Sequence, residues 1–343
     1  MTSQQTILLT GASGVVGTAL LPKLARHRVI SMVHKQVPPG STEHVRGDLG
    51  APDLGFDPAV ARRLAAEVDV VVHCAAVTDF GAGATATDGL NVAGTLNVLD
   101  FARRADATVH YLSTAFVARD GMTRGRTNEG GADPADYLTS KLAAEQLVRD
   151  SGVAATIVRP SVVIGDSETG AISKFQGLHS LALAVLKGAL PLLPLDQRAH
   201  IDFVPQDHLA NALTALIDTE TRAGEYWVTA GEAALFTQAM IDIVTDEAER
   251  AGLSLVPPRL VEPDMVDRLV RPVFIDPLPK GVRRRFDDML AMTALFAGAD
   301  FFPCSAIPGV TPLDEDRLTD AFRNSVRYLA VEKGLARPGT EAA

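Results

Sequence analysis

The chain has little of what marks secreted, metal-binding or nucleic-acid-binding proteins. It has two cysteines in 343 residues, Cys74 and Cys304, and their wide separation fits neither a disulfide framework nor the spacing of zinc ligands. It also lacks any run of basic residues, and its formal net charge is -10. These shortages predict reduced thiols in the cytoplasm, no bound metal and no nucleic acid among the partners.

Long uncharged apolar runs are missing as well. The most apolar stretch, residues 178–195, is interrupted by Lys187, Pro191 and Pro194, so it is too broken for a membrane-spanning helix. A buried helix is expected there, with contact at a membrane surface as the alternative. The first residues carry no basic segment before an apolar one, so no signal peptide is predicted.

A glycine-rich turn near the start of the chain is the first feature that indicates a ligand. A strand-like run at residues 6–10 is followed by Gly11, Gly14 and Gly17 and then by a helical pattern over residues 18–25. Glycines in this order allow a tight turn and a close approach of the backbone to a pyrophosphate. The spacing is G-x-x-G-x-x-G rather than G-x-G-x-x-G, and an ordinary turn is the alternative interpretation.

The residues after the second predicted strand bear on the choice of cofactor. That strand, residues 29–33, ends where NAD-binding proteins place a carboxylate for the ribose 2′-hydroxyl. Here His34 and Lys35 take this place, and no carboxylate occurs before Glu43. A cation suits a 2′-phosphate, so the sequence favours NADPH (NADP+) over NADH, with a solvated loop as the alternative. Asp48, just past a third strand, either faces the adenine end of the cofactor or is a turn residue.

Tyr137 and Lys141 lie four residues apart, so on a helix they share one face and can reach the same site. A cation near a phenol lowers its pKa from about 10, which would suit Tyr137 for exchanging a proton with a carbonyl or alcohol. Solvated helix surface is the alternative. Ser113 and Thr114 end another predicted strand, where parallel sheets bind ligands, and either hydroxyl could face a substrate carbonyl.

Strand and helix patterns alternate through six rounds along the first half of the chain. The sequence is 47% hydrophobic with a mean hydropathy of +0.13, and its length suits a large domain with a smaller partner. These features predict an α/β fold, a doubly wound parallel Rossmann sheet with a smaller, mainly helical C-terminal substrate domain. His73, at the end of the apolar run 68–72, is expected to be structural, because no metal-ligand partner stands at the usual spacing.

Seven motifs, taken in order, resemble those of the extended short-chain dehydrogenase/reductases over roughly the first half of the chain. They are residues 10–17, Asp48, residues 73–76, residues 91–95, residues 113–114, Tyr137-x-x-Ser140-Lys141 and residues 159–161. Residues 201–208 resemble the later return of that family to its cofactor domain. The loop 164–170 and the apolar segment after it are most similar to the thioester-reductase and fatty acyl-CoA reductase branch, the male sterility type.

The resemblance implies that separate regions of the chain bind the cofactor and the substrate. It implies an NADP-binding Rossmann domain formed by residues 1–165 plus about 200–231, and a substrate-binding region formed by 166–199 and 232–343. It assigns catalysis to Thr114, Tyr137 and Lys141. It implies cofactor contacts from Gly11, Ser13, Gly14, Val15, Val16, Gly17, His34, Lys35, Asp48, Leu49, Cys74, Ala75, Ala76, Asn91, Lys141, Pro160, Ser161 and Val162. Substrate contacts are expected from Thr78, Ser113, Phe116 and Phe175.

Three classes of function remain open at this point. The first is NADPH-dependent reduction of an apolar acyl thioester, bound to coenzyme A or to an acyl or peptidyl carrier protein, or of an aldehyde. The second is a sugar-nucleotide epimerase or dehydratase, or a hydroxysteroid-type dehydrogenase. The third is a non-catalytic NADP-binding regulator, against which an intact set of Thr114, Tyr137 and Lys141 argues. The oligomeric state stays open.

The C-terminal half separates the first two classes only in part. Apolar positions between residues 265 and 302 recur partly at helical spacing, and they either form core or line an acyl pocket. A basic cluster nearby either is a solvated helix face or binds the phosphate of a phosphopantetheine arm or of a nucleotide diphosphate. Its members are Arg268, Arg271, Lys280, Arg283, Arg284 and Arg285.

Overall fold

Fourteen strands alternate with helices along the described part of the chain. The computed structural model describes residues 4–79, 82–119, 134–175, 177–262, 265–266, 268, 271–272, 276–277 and 279–337. The strands are β1 Thr6–Thr10, β2 Arg28–Val33, β3 Glu43–Arg46, β4 Val70–His73, β5 Thr108–Leu112, β6 Ala155–Pro160, β7 Val162–Ile164, β8 Leu192–Leu193, β9 His200–Ile201, β10 Phe203–Pro205, β11 Gly224–Val228, β12 Leu235–Phe236, β13 Arg259–Leu260 and β14 Ala297–Gly298.

The longer helices flank these strands. They are α1 Val15–Leu20, α2 Pro58–Glu67, α3 Ala93–Ala105, α4 Pro134–Asp150, α5 Gly177–Leu186, α6 Gln206–Asp218, α7 Thr237–Arg250, α8 Lys280–Phe296 and α9 Glu315–Glu332. A helical turn at Ala84–Thr87 and a π-helical turn at Asp88–Val92 lead into α3. Among the described residues, no helix is both long enough and apolar enough to cross a membrane.

The central sheet has seven strands in the order β11-β6-β5-β4-β1-β2-β3, and every pair in it is parallel. The chain runs outward from β1 in one direction through β2 and β3, then restarts at β4 and runs outward in the other. Strand order therefore reverses between β1 and β4, and such a reversal opens a ligand crevice at the carboxyl ends of the strands. The predicted doubly wound parallel sheet is confirmed.

Successive residues of the inner strands are buried in opposite layers. Ile7 and Leu9 pack in the layer that contains α1 and α6, whereas Leu8 packs with residues of α2 and α3. Because helices cover both faces of the sheet, the strand sequences are continuous apolar runs and do not alternate between apolar and polar residues. A third apolar core lies among α4, α5, α7 and α9, in the mainly helical C-terminal part.

Local chemistry sets the helix boundaries. The Asp57 carboxylate accepts a hydrogen bond from the Ala59 amide (2.8 Å) and Pro58 occupies the first turn, so α2 begins there. Helix α1 begins at Val15, three residues earlier than predicted, because Gly14 ends the turn and Gly17 is already helical. It gives way to a 3₁₀ turn, Leu21–Leu24, that contains Pro22, a residue without an amide hydrogen to continue an α-helix.

The apolar positions between residues 265 and 302 divide into three groups. Val266, Leu295, Phe296 and Phe302 are buried, which favours their interpretation as core, whereas Met265 and Phe301 are exposed. Others lie outside the described residues: Leu269, Val270, Val273, Phe274 and Ile275, together with the side chains of Phe286, Met289 and Met292. The same holds for the side chains of Arg284 and Arg285 in the basic cluster.

Candidate active site

The glycine turn lies at the reversal between β1 and β4. Gly11 has φ +72°, and a Cβ atom there would come within 2.6 Å of the Ala75 amide nitrogen, so only glycine fits between the two strand ends. The Gly14 amide donates to the Gly11 carbonyl (2.9 Å), and Ser13 and Gly14 are exposed. Bare backbone thus lines the crevice, a cradle that suits the pyrophosphate of a dinucleotide.

The other predicted cofactor residues lie at the carboxyl edge of the sheet. His34 and Lys35 directly follow β2 and are exposed. Asp48 is also exposed, and its carboxylate accepts from the Gly50 amide (2.9 Å), which makes it a turn residue whether or not it meets a ligand. Leu49 is buried. The remaining residues lie at the start of α1, just after β4, or between the last residue of β6 and the first of β7: Val15, Val16, Cys74, Ala75, Ala76, Pro160, Ser161 and Val162.

Helix α4 carries Tyr137, and the strand end before it carries Thr114. The two side chains are buried, and the Thr114 hydroxyl lies near the phenol. Burial raises the pKa of Tyr137 to about 12, although the Thr114 hydroxyl opposes this. The lowering expected from sequence is not found, because removal from water outweighs it and Lys141 directs its ammonium elsewhere.

The Lys141 ammonium is buried beneath the site. Its Nζ donates to the carbonyl oxygen of Leu112 (2.7 Å) and to the hydroxyl of Tyr111 (3.2 Å), and it lies 4.7 Å from the centre of the Tyr111 ring. Burial lowers the pKa of Lys141 to about 8, although the Glu145 carboxylate opposes this. Tyr111 was not anticipated from sequence, since it lies inside an apolar strand pattern.

Glu145, one turn after Lys141, anchors α4 to the sheet. Its carboxylate accepts from the Ser113 hydroxyl (2.6 Å) and pairs with the buried Arg159 guanidinium (2.6 Å). Burial opposes ionisation, but the bonds from Arg159 and Ser113 hold the pKa of Glu145 below its ordinary value. Ser113, expected to contact substrate, therefore has its hydroxyl engaged by this ion pair, and Thr114 is the hydroxyl left beside Tyr137.

Asn91, expected to contact the cofactor, joins two parts of the site. Its amide nitrogen donates to the Val77 carbonyl (3.0 Å) and to the Ser140 hydroxyl (3.0 Å), while its amide oxygen accepts from the Val77 amide (2.8 Å). Ser140 donates in turn to the Tyr137 carbonyl (2.7 Å). Asn91 sits in the π-helical turn, which rotates it toward the loop after β4. Its side chain thus holds the loop against the helix that carries Tyr137.

Two of the predicted substrate residues belong to one apolar core. Phe116 is buried in the same core as Tyr137, with its ring 5.5 Å from that of Phe296 and 5.4 Å from that of Phe302. Phe175 packs against this core from its edge, with its ring 5.3 Å from that of His179 and Lys333 Nζ 4.7 Å above it. Thr78 is exposed on the loop after β4.

Arg119, which sequence reasoning missed, ties the site to the C-terminal region. Its guanidinium donates to the carbonyl oxygens of Leu295 (2.6 Å) and Phe296 (2.9 Å), at the end of α8. It also lies 4.4 Å from the centre of the Phe302 ring. Because Arg119 ends the short helix Ala115–Arg119 that follows Thr114, it links the end of α8 to the segment after β5. The signal available in the sequence was a single basic residue at the end of the apolar stretch 115–118.

Acidic, histidine and cysteine side chains do not converge on a metal site in the described part of the chain. His73 is buried in the strand end and hydrogen-bonded on both ring nitrogens, to Thr10 (2.7 Å) and to Thr95 (3.2 Å). Its role is structural, as the sequence indicated.

Comparison with known proteins identifies the family. The profile of the male sterility protein family, an NAD-binding family, matches residues 37–213, more than half of the chain. Glycine betaine reductase ATRR of Emericella nidulans is 28% identical in an alignment 270 residues long that covers 66% of this chain and 21% of that protein. L-2-aminoadipate reductase of Schizosaccharomyces pombe is 26% identical in an alignment 259 residues long that covers 62% of this chain and 18% of that protein. The chain thus spans about a fifth of the length of these relatives.

A solved structure shares the fold along nearly the whole chain. The terminal R domain of the myxalamid PKS-NRPS biosynthetic pathway superposes with a TM-score of 0.72 at 23% identity, covering 98% of this chain and 92% of that one. The parallel sheet, the glycine cradle and the family profile all indicate an NAD-binding fold. The chain belongs to the male sterility protein family, an NAD-binding family.

Proposed function

We propose that the chain is an NADPH-dependent reductase acting on the carbonyl of an apolar acyl thioester, bound to coenzyme A or to a carrier protein, or of an aldehyde. The observation that carries the proposal is the joint placement of Thr114, Tyr137 and Lys141 at the carboxyl edge of the sheet, next to the glycine cradle. The rings of Phe116, Phe296 and Phe302 are buried in the same apolar core as Tyr137.

Each residue has a distinct part in the proposed reaction. When bound, NADPH supplies the hydride that reaches the carbonyl carbon. Thr114 and Tyr137 hydrogen-bond the carbonyl oxygen, and Tyr137 delivers the proton that balances the hydride. A pKa of about 12 keeps the Tyr137 phenol protonated at neutral pH, which is the form a reduction needs. Lys141 orients the ribose. With a thioester, the tetrahedral product then expels the thiol and leaves an aldehyde.

The C-terminal region is the proposed substrate side. We assign the Rossmann part to residues 1–165 and about 200–231, since β11 returns to the central sheet beside β6. Residues 166–199 and 232–343 would bind the acyl group. A nucleotide-sugar substrate would need cations free to meet its diphosphate. Arg119, which ends the short helix after Thr114, is already bound to two carbonyl groups at the end of α8.

Cofactor choice is tested by titrating NADPH and NADH separately against the nicotinamide fluorescence of the wild-type chain. We expect tighter binding of NADPH, because Lys35 lies where a 2′-phosphate would sit. Lys35→Glu should weaken NADPH binding about tenfold and leave NADH binding unchanged. Lys23→Glu, on the exposed 3₁₀ turn after α1, is the matched control and should change neither. Equal affinities for both cofactors in the wild type would refute the preference.

Substrate class is tested by following NADPH oxidation with acyl-CoA thioesters, aldehydes and UDP- or TDP-sugars side by side. The proposal predicts turnover with the first two classes and none with nucleotide sugars. Turnover confined to nucleotide sugars would overturn the acyl assignment while leaving the cofactor assignment in place.

A further inference from the structure

A short helix connects the proposed catalytic Thr114 to the C-terminal region. This helix, Ala115–Arg119, begins directly after Thr114. Near its start, the Phe116 ring lies 5.5 Å from the Phe296 ring and 5.4 Å from the Phe302 ring, measured between ring centres. The backbone amide of Phe116 donates a hydrogen bond to the Thr114 hydroxyl oxygen (3.3 Å). The residue that fixes the direction of the Thr114 hydroxyl is therefore itself packed against rings of the C-terminal region.

Arg119 fastens the other end of the short helix to α8. Its Nη1 donates to the carbonyl oxygens of Leu295 (2.6 Å) and Phe296 (2.9 Å). The last carbonyl groups of a helix lack donors within the helix, and the helix dipole favours a cation beside them. The guanidinium also lies 4.4 Å from the centre of the Phe302 ring and 5.7 Å from that of Phe116. Because Arg119 is buried, water competes little for these interactions.

The guanidinium has space because residue 298 is a glycine. Gly298 ends β14, which directly follows α8, and a Cβ atom there would come within 2.7 Å of Arg119 Cζ. The φ of Gly298 lies outside the left-handed region, so the backbone conformation itself does not call for glycine. A side chain at this position would push the guanidinium away from the carbonyl groups of α8.

We propose that Arg119 is a positioning residue for Thr114. By fixing the short helix to α8, it keeps the Phe116 amide against the Thr114 oxygen. A threonine hydroxyl carries one hydrogen, so an oxygen that accepts from the backbone keeps that hydrogen for a substrate carbonyl oxygen. The region that would bind the acyl group thereby sets the direction of the hydroxyl that would bind its carbonyl. The inference rests on the proposed role of Thr114 in carbonyl reduction.

The first test is Arg119→Met in the full chain, with kcat measured as NADPH oxidation. The probe is the acyl-CoA thioester or aldehyde that the wild type reduces fastest. Methionine keeps an apolar side chain against the rings and removes the hydrogen bonds to α8. We expect kcat to fall on the order of 10- to 100-fold, because displacing a group that holds the reacting carbonyl has an effect of this size. The NADPH dissociation constant should stay nearly unchanged, since the glycine cradle and Lys141 are not altered.

Gly298→Ala disturbs the same contact while leaving Arg119 in place, so it also serves if Arg119→Met does not fold. Its Cβ atom should displace the guanidinium and lower kcat in the same direction. Added to Arg119→Met, it should lower kcat no further, because the group that it displaces is absent.

Arg28→Met is the matched control at the opposite edge of the sheet. Arg28 begins β2 and donates to the carboxylates of Glu43 (2.8 Å) and Glu67 (2.9 Å). Its loss should lower the melting temperature at most and leave kcat unchanged.

Thr114→Val decides whether Arg119 acts through Thr114. Valine keeps the shape of threonine without the hydroxyl, so Arg119→Met should lower kcat no further in that background. Fully additive losses in the double variant would overturn the inference. An Arg119→Met variant with a lower melting temperature but wild-type kcat would also overturn it, and so would equal losses of kcat and of NADPH affinity.

The same measurements separate the inference from the proposed function. If Thr114→Val loses kcat and Arg119→Met does not, the inference alone fails. If Thr114→Val keeps the kcat of the wild type, the proposed role of Thr114 fails as well. A wild type that reduces no acyl thioester and no aldehyde would refute the proposed function and the inference with it.

Discussion

At the scale of single residues, the site is built from buried groups whose pKa values are shifted from the ordinary ones by burial. Lys141 is charged although it lies out of water, and its folded-state pKa of about 8 stands below the ordinary 10.5. Between these two values the unfolded chain holds the proton and the folded chain releases it. The buried charge is therefore a cost to folding that is fully present below pH 8 and disappears as the pH rises toward 10.5.

Lys141→Met is expected to stabilise the fold while it removes function. At neutral pH the free energy of unfolding should rise by about 1–2 kcal/mol, the relief of the buried charge less the bonds lost to Leu112 and Tyr111. This gain should shrink when unfolding is measured in urea at increasing pH above 8. Lys187→Met, the same change on an exposed residue of the loop after α5, should show no such pH dependence. A free energy of unfolding that is lower in Lys141→Met than in the wild type would contradict this prediction.

Residue identities at the site were readable from the sequence, but their surroundings were not. The spacing of Tyr137 and Lys141 and the hydroxyls after β5 pointed to the carboxyl edge of the sheet. The direction of the Tyr137 pKa was wrong, because i,i+4 spacing does not reveal how deeply the phenol is buried or that Lys141 turns to Tyr111. Likewise, the bond from Ser113 to Glu145 depends on how α4 packs across β5.

At the scale of elements, the turn from β1 to α1 is fixed by backbone contacts. Gly17 lies where the first turn of α1 crosses over Gly11, and a Cβ atom there would come within 2.6 Å of the Ala12 Cα. These backbone atoms cannot move aside as the end of a flexible side chain can. This is why the helix starts three residues earlier than the apolar periodicity suggested: the last glycine belongs to the helix rather than to the loop.

Gly17→Ala should lower the free energy of unfolding by about 1–3 kcal/mol through overpacking, and it should weaken NADPH binding because the cradle is displaced. Gly281→Ala is the matched control: it lies in α8, where a Cβ atom would meet nothing within 4 Å. That variant should be neutral or slightly stabilised. Thermal unfolding with and without NADPH compares the two, and an unperturbed Gly17→Ala would show that the turn adapts.

At the scale of the whole molecule, the C-terminal region contacts the segment after Thr114 through the end of α8, which Arg119 binds, and through the rings of Phe296 and Phe302. Its short strands were not predictable. β9 pairs with both β12 and β14, and β8 pairs with β13, yet each has two residues and so carries no periodicity of its own. Their partners lie far away along the chain and are set by packing. The parallel sheet was predictable, because its strands are long, apolar and regularly interleaved with helices.

Phe302→Leu tests whether this region selects the acyl group. If the Phe302 ring borders the acyl site, the variant should alter the rise of kcat/KM with chain length across a series of acyl-CoA thioesters or aldehydes. Each added methylene contributes at most about 0.8 kcal/mol in the wild type. Phe101→Leu removes a ring from the core between the sheet and α3 and should lower the melting temperature without changing that profile. If kcat/KM depends on chain length in the same way in both variants, Phe302 is a core residue and does not select the acyl group.

The central claim is that Tyr137 donates the proton to a carbonyl reduced at this site. The most direct measurement is kcat of Tyr137→Phe for NADPH oxidation with the acyl thioester or aldehyde on which the wild type is most active, together with the NADPH dissociation constant. The claim predicts a loss of at least about 100-fold in kcat with nearly unchanged cofactor affinity, because the variant lacks only the proton donor. A kcat comparable to that of the wild type would contradict it.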